Sequence, residues 1–264
     1  MSSAGTLFLI HGFLGQAKDW SSLSWDSWNT HTPDFFSNSA EHLVNYHLST
    51  LADQINQQAQ YTEAVPRVLI GYSWGGRVAL HALIRAPHLY AGAVLLGAHP
   101  GFTDERQKAE RVRSDSEWSE RFLNEDWASV IRAWNQQGVF QHVSADDLQS
   151  RLDTQGVERV ESEFSRRKLA LALRHSSLGQ QQDLRAELRK LQVPTLWMVG
   201  GEDLKFKAIY EELRGAQIPQ SQFIEIPGAG HRIHLEQSER VRNEVNLFLQ
   251  QFLVHEAREN KSTE

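Results

Sequence analysis

The stretch Arg67-Val68-Leu69-Ile70-Gly71-Tyr72-Ser73-Trp74-Gly75-Gly76-Arg77 decides the fold class of this 264-residue chain. Its first half is a short apolar run, the pattern of a strand buried on both faces. Its second half opens a helical pattern that continues through Val78, Ala79, Ala82 and Leu83. Between them Gly71-Tyr72-Ser73-Trp74-Gly75 fits G-x-S-x-G at a strand-to-helix turn. A serine on so sharp a turn needs small neighbours, because side chains there would clash. The turn lifts the hydroxyl above the carboxyl edge of a sheet, and the following helix aims its partly positive amino end at the same place.

Working outward, four further apolar runs lie at Thr6–Ile10, Ala91–Gly97, Pro194–Gly200 and Ser221–Pro227. Helix-like segments separate most of them, one from Ala40 to Ile55 followed by the polar stretch Gln54–Gln60. Continuous apolar strands alternating with helices indicate a parallel sheet covered on both faces. From Gly101 to Gln181 the rhythm breaks, and Arg, Glu, Gln and Trp dominate. Glu105–Val112, Ser116–Leu123 and Asp126–Gln136 read as amphipathic helices of a cap inserted between two strands. The expected division is a core of residues 1–100 and 182–253, a helical cap of 101–181, and a flexible polar tail of 254–264.

Composition narrows the function. The chain is 40% hydrophobic and 23% charged, with 12 Phe and 8 Trp, enough for a packed core. Its 27 basic and 33 acidic residues leave a net charge of −6, which argues against nucleic acid as a partner. The absence of cysteine excludes disulfides, thiol catalysis and Cys-ligated zinc. No apolar stretch approaches the roughly 18 residues of a membrane span, and the amino terminus does not read as a signal peptide. The expectation is a cytoplasmic protein with no membrane partner and an open oligomeric state.

A serine hydroxyl needs a base and an orienting acid to react. In the strand–turn–helix arrangement these follow in the order serine, acid, histidine. Gly200-Gly201-Glu202-Asp203 ends one apolar run, and its G-x-x-D spacing favours Asp203 over Glu202. Gly228-Ala229-Gly230-His231 ends the next, which makes His231 the expected base ahead of His234 and His99. His11-Gly12-Phe13 follows the first strand. There the backbone N–H groups of Phe13 and Trp74 would converge on a developing oxyanion, with the His11 side chain structural.

These features resemble the α/β-hydrolase superfamily. The first run begins at Thr6, so the resemblance implies a shortened, mostly or wholly parallel sheet of about six strands flanked by helices. A narrower resemblance rests on Gly71–Arg77, His99-Pro100-Gly101, Ala109–Asp115, Trp118 with Arg121-Phe122-Leu123, Trp134 with Gln136-Gln137 and Val139-Phe140, Asp183-Leu184-Arg185, and Gly201–Phe206. In that order they are similar to the 2-succinyl-6-hydroxy-2,4-cyclohexadiene-1-carboxylate synthase family of menaquinone biosynthesis. The resemblance implies a lyase that eliminates pyruvate without cofactor or metal, with Ser73 as general base activated by His231 and Asp203. Its small-molecule polycarboxylate substrate would be bound by Arg77, Arg111, Tyr72 and Trp134, with Lys205 and Phe206 bordering the site.

Plainer readings compete. Arg77 could pair with an acid on a helix face, Arg111 with Gln107 or Asp115, and Trp134 could be cap core. Trp20, Trp25, Trp28, Trp118 and Trp127 are assigned to packing. The triad alone serves ester or thioester hydrolysis through an acyl-enzyme equally well, so a hydrolase is the alternative. The chain also departs from the family. Glu161 stands where a further cap arginine is usual, with Arg159, Arg166 and Arg167 nearby. Thr32–Ser37 replaces a glycine-bearing loop, and Trp74 is large for its position.

Overall fold

The computed structural model describes residues 3–37, 45–140 and 165–259, the last six as backbone only. Strands β1 (Thr6–Ile10), β2 (Asn29–His31), β3 (Arg67–Tyr72), β4 (Gly92–Leu96), β5 (Thr195–Gly200) and β6 (Ser221–Ile226) form one sheet. Their order is β2-β1-β3-β4-β5-β6, and every pair is parallel. The helices are α1 (Leu48–Tyr61), α2 (Trp74–Arg85), α3 (Glu105–Asn124), α4 (Trp127–Asn135), α5 (Arg166–His175), α6 (Arg185–Leu188), α7 (Leu204–Gly215), α8 (Ile233–Glu236) and α9 (Ser238–Glu259).

The five apolar runs became β1, β3, β4, β5 and β6. The sixth strand, β2, is an edge strand of three polar residues, so it offers no apolar run to read. Alternation along the strands splits the interior into two cores. Phe8, Ile10, Leu69, Ala93, Leu95, Trp197 and Val199 face α1, α2 and α7. Leu7, Leu9, Val68, Ile70, Tyr72, Val94, Leu96 and Met198 face α9 and the buried Trp20, Trp25 and Trp28. Removing such side chains from water contributes roughly 1.5–3 kcal/mol each, which suffices to fix the register of a sheet buried on both sides.

Three boundaries differ from the sequence reading. α1 begins at Leu48 after an extended His47 and runs on to Tyr61, so the glutamine-rich stretch is its exposed side rather than its end. Residues 38–44 lie outside the described set. The two expected helices near Glu105 and Ser116 are one, α3, capped at its start by the Asp104 carboxylate, which accepts from the Gln107 N–H at 2.7 Å. Helix α9 extends to Glu259, well into the stretch expected as tail, because residues such as Glu256, Ala257 and Arg258 favour helix. Among the described residues α3, α4, α5 and α6 stand between β4 and β5, the first three within residues 101–181. Their Phe122, Val130, Trp134, Leu169 and Leu173 continue the first core, with Trp118 and Trp127 packed against it.

One buried polar link ties α1 to α2 and to the turn before β4. The Asn56 amide donates to Ala82 O at 3.2 Å, and its carbonyl accepts from the Tyr90 hydroxyl at 2.7 Å. Replacing Asn56 with Leu leaves the buried Tyr90 hydroxyl without its acceptor, while Ala82 O keeps only the Ala86 N–H. The expected loss is about 1–3 kcal/mol, read as a lower urea midpoint at unchanged slope.

Strand order reverses on either side of β1, and the crevice beyond the carboxyl ends of β1 and β3 is where parallel sheets collect ligands. Pairing of Ile10 with Gly71 brings the His11–Phe13 loop beside the Ser73 turn. Pairing of Gly200 with Ile226 brings the loops of Asp203 and His231 together.

Candidate active site

Ser73 has φ 51° and ψ −110°, a conformation that costs a non-glycine residue about 1–3 kcal/mol. Its N–H donates to Leu96 O at 2.8 Å, which pins the turn to β4. The flanking glycines are required by close approach. A Cβ on Gly71 would lie 2.6 Å from Gly75 O, and one on Gly75 would lie 2.3 Å from His11 O. The turn therefore exists only because β1, β3 and α2 meet without side chains between them.

His231 Nε2 lies 2.9 Å from Ser73 Oγ, and His231 Nδ1 lies 2.6 Å from Asp203 Oδ2. With a carboxylate at Nδ1, that nitrogen carries the proton and Nε2 is free to accept from the serine. Asp203 caps α7 and also accepts from the Phe206 N–H at 3.3 Å. The Phe206 ring packs on the imidazole at 4.5 Å. Glu236 holds the loop of the base from behind, accepting from the N–H groups of Gly230 and Arg232 on either side of His231.

The rivals are placed elsewhere. His234 is buried between Trp20 and Tyr72, and burial pushes its imidazole down to about 4. His99 accepts from the Gly101 N–H, and burial, helped by Lys205 and several arginines, pushes it down to about 2. His11 accepts from the Phe35 N–H at 3.1 Å and is structural. Glu202 is close by, but Asp203 is the acid on His231.

Gly97 brings the base still closer to the sheet. It has φ 56°, and a Cβ there would lie 2.9 Å from His231 Cε1. Gly97→Ala is expected to displace the imidazole and cut turnover by at least about 10-fold, since misplacement of a reacting group by about 1 Å costs about 100-fold. Turnover beside a thermal melt is the check.

Ser73 opens into a cavity of about 750 Å³ lined by residues of the core and of the helices between β4 and β5. Phe13, Trp74, Arg77, Arg111, Trp134, Lys205 and Phe206 all line it. Among the described residues the N–H groups of Phe13 and Trp74 have no acceptor, as a site for a developing oxyanion requires. The Trp74 ring is accommodated by Phe35 and Phe36, from the unusual Thr32–Ser37 loop, and its Nε1 donates to Ser176 Oγ at 2.7 Å.

Arg77 is 6% exposed. It donates to Ser176 O at 2.8 Å and to Gln181 Oε1 at 3.2 Å. No acidic side chain pairs with it among the described residues, contrary to the helix-face alternative. Burial, with repulsion from Arg111, pushes its guanidinium down to about 9 against the pull of Asp115, so it stays charged at neutral pH. Arg111 satisfies both readings: its Nε pairs with Asp115 Oδ1 at 2.8 Å, and the residue lines the cavity. Asp115 in turn accepts from the Ser177 hydroxyl at 2.7 Å. Burial and the nearby Arg111 push the Lys205 ammonium down. Trp134 likewise does both things, packing on Phe13 at 4.7 Å and lining the cavity.

Tyr72 is the correction. It was expected at the substrate, yet it lies on the opposite face of β3, its ring 4.2 Å from that of His234 and 5.4 Å from that of His231. Strand alternation sends it away from the cavity. Among the described residues the other cap arginines do not line the cavity either. Arg166 donates to Phe122 O and Glu125 O, and Arg167 is exposed. Arg159 and Glu161 lie outside the described residues.

The fold and the family model define the class. The alpha/beta hydrolase family model matches residues 7–244, and the chain belongs to that family. It is 31% identical over 238 residues to the 2-succinyl-6-hydroxy-2,4-cyclohexadiene-1-carboxylate synthase of Enterobacter sp. (strain 638), covering 87% of this chain and 86% of the relative. It is 30% identical over 249 residues to the enzyme of that name from Serratia proteamaculans (strain 568), covering 92% of each. Among solved structures, MenH from S. aureus superposes with a TM-score of 0.83 at 24% identity, covering 96% of both chains. A malate-bound thermophilic esterase from Thermogutta terrifontis gives 0.75 at 23% identity, covering 96% and 92%. These two likenesses are of fold. No helix among the described residues is long and apolar enough to cross a membrane.

Proposed function

We infer that this chain is a carbon–oxygen lyase of menaquinone biosynthesis, releasing pyruvate from 2-succinyl-5-enolpyruvyl-6-hydroxy-3-cyclohexene-1-carboxylate. The observation that carries this reading is the convergence of Arg77, Arg111 and Lys205 on the cavity that holds Ser73. The substrate bears carboxylates on its ring, its succinyl arm and its enolpyruvyl arm. A pocket for simple esters has no need of three converging cations, whereas guanidinium groups match carboxylates with forked donors. The similarity to the two synthases supports the same reading.

In this mechanism Ser73 Oγ takes the ring proton beside the succinyl ketone while His231 Nε2 accepts the serine proton. Asp203 stabilises the imidazolium that forms. The electrons of the broken C–H bond enter an enolate, whose oxygen faces the N–H groups of Phe13 and Trp74. As the ketone re-forms, a double bond forms from the deprotonated ring carbon to its neighbour, the ring double bond already present shifts one position towards the leaving group, and the C–O bond to the enolpyruvyl group breaks. The leaving enolate takes up a proton, returned through His231, and becomes pyruvate.

Pyruvate release from freshly made substrate, with protein and without, is the test, because the substrate also eliminates unaided. A large acceleration supports the lyase. No acceleration, with brisk turnover of short esters and a labelled acyl-enzyme, would move the assignment to a hydrolase using the same triad.

A further inference from the structure

The two cavity arginines are held differently, and both are held by one short turn. Residues 176–181 follow α5 where the chain returns to the core. Ser176 O and Gln181 Oε1 accept from Arg77, and Ser176 Oγ accepts from Trp74. Ser177 reaches Arg111 only through Asp115, a carboxylate that is 3% exposed. Arg111 thus brings its own counterion. Arg77 does not: both its acceptors are neutral, and no carboxylate pairs with it among the described residues.

The orientation of Gln181 follows from its partners. Its amide nitrogen donates to His99 O at 3.0 Å, a carbonyl that can only accept, so its oxygen must face Arg77. Gln181 is 4% exposed, buried deeply enough to be fixed in that pose. A glutamate of nearly the same shape would satisfy Arg77 more strongly and would remove the cost of burying a lone cation. An uncompensated buried charge is the more expensive choice for the fold.

We propose that Gln181 is a specificity-determining positioning residue: by aiming Arg77 with a neutral amide, it keeps that charge uncompensated and reserved for a carboxylate of the ligand. The inference rests on reading the cavity as a polycarboxylate site. It acts through Arg77 and needs no contact between Gln181 and the ligand. The arrangement selects anions because a neutral ligand would leave Arg77 buried without a counterion.

The test compares Gln181→Glu with Gln181→Met. Both lose the bond to His99 O, but only the glutamate supplies a counterion. Two readouts are taken. One is KM against kcat for the cyclohexene substrate. The other is protection of Ser73 from a fluorophosphonate label by succinate, a plain dicarboxylate. The glutamate variant is expected to raise KM about 30-fold or more and to lose succinate protection, with its unprotected labelling rate as in the parent. The methionine variant is expected to shift both only a few-fold, because Ser176 O still holds Arg77. Equal behaviour of the two variants, or a parent that succinate does not protect, would overturn the proposal. If instead no variant turns over the cyclohexene while succinate protection keeps the order parent, methionine, glutamate, the lyase reading has failed and this inference stands. A thermal melt guards against misfolding. Should Gln181→Glu not fold, Gln181→Asp is compared with Gln181→Asn by the same readouts, with the same order expected.

Discussion

Ser73→Ala is expected to lower the protein-dependent rate of pyruvate release by about 10³-fold or more, the scale of a positioned general base. Ser73 and His231 both line the cavity, and the Ser73 hydroxyl lies 2.9 Å from His231 Nε2. Removing the oxygen leaves a methyl where the proton must go. The backbone conformation is unchanged in kind, since alanine and serine suffer the same strain at φ 51°, so stability should shift by less than about 1 kcal/mol. Substrate binding should persist, because the cations that line the cavity are intact. The expected pattern is therefore a collapse of kcat with KM nearly kept. His231→Ala should do the same, and the double variant should be little worse than either single one, since the two residues act as one unit. Single-turnover pyruvate assays on all three variants are the check. Full activity in Ser73→Ala would remove the serine from the mechanism and leave His231 as the direct base.

How much of this could be read from sequence depended on whether a feature was local. The strand-to-helix turn was legible because its requirements are local: two glycines must clear the backbones of His11 and Gly75. Asp203 and His231 were legible because each ends an apolar strand. β2 was not, because an edge strand of Asn29, Thr30 and His31 has no apolar signature. Tyr72 was misplaced although β-strand geometry contained the answer. It is the neighbour of Ser73 in sequence, yet it shares its face of β3 with Ile70 and Val68, and so belongs to the opposite core. Arg111 shows that two readings of one residue can both hold, since one edge of a guanidinium can pair with Asp115 while the rest lines a cavity. Ser176 and Gln181 were invisible. Their bonds to Arg77 span 99 and 104 residues, and no local pattern encodes such a contact. Glu236 was missed for the opposite reason. It lies only a few residues from His231, but nothing in its type or spacing marks a carboxylate that will hold backbone N–H groups.

Arg77→Met is expected to lower kcat/KM for the cyclohexene substrate by about 10²–10³-fold, the range for truncating one partner of a buried charge pair. Methionine fills much of the same volume, so the cavity wall is kept while the charge is lost. Two effects on stability then oppose each other. Ser176 O and Gln181 Oε1 lose their donors, which costs about 1–3 kcal/mol. Against this, the fold no longer holds a cation whose burial is severe enough to push it down to about 9. The melting temperature should therefore stay close to that of the parent, or rise, while activity falls steeply. That separation is the signature of a residue retained for its ligand at the expense of the fold. Arg77→Lys should recover only part of the loss, because an ammonium is a point charge without the guanidinium fork and cannot serve Ser176, Gln181 and a carboxylate in one plane. The loss should appear mainly in KM if Arg77 holds a carboxylate that does not change during the reaction, and in kcat if it holds the departing enolpyruvyl group. Kinetics of the two variants beside calorimetric melts decide this. An unchanged KM and kcat in Arg77→Met would mean that the charge is structural and that the carboxylates of the substrate are held elsewhere in the cavity.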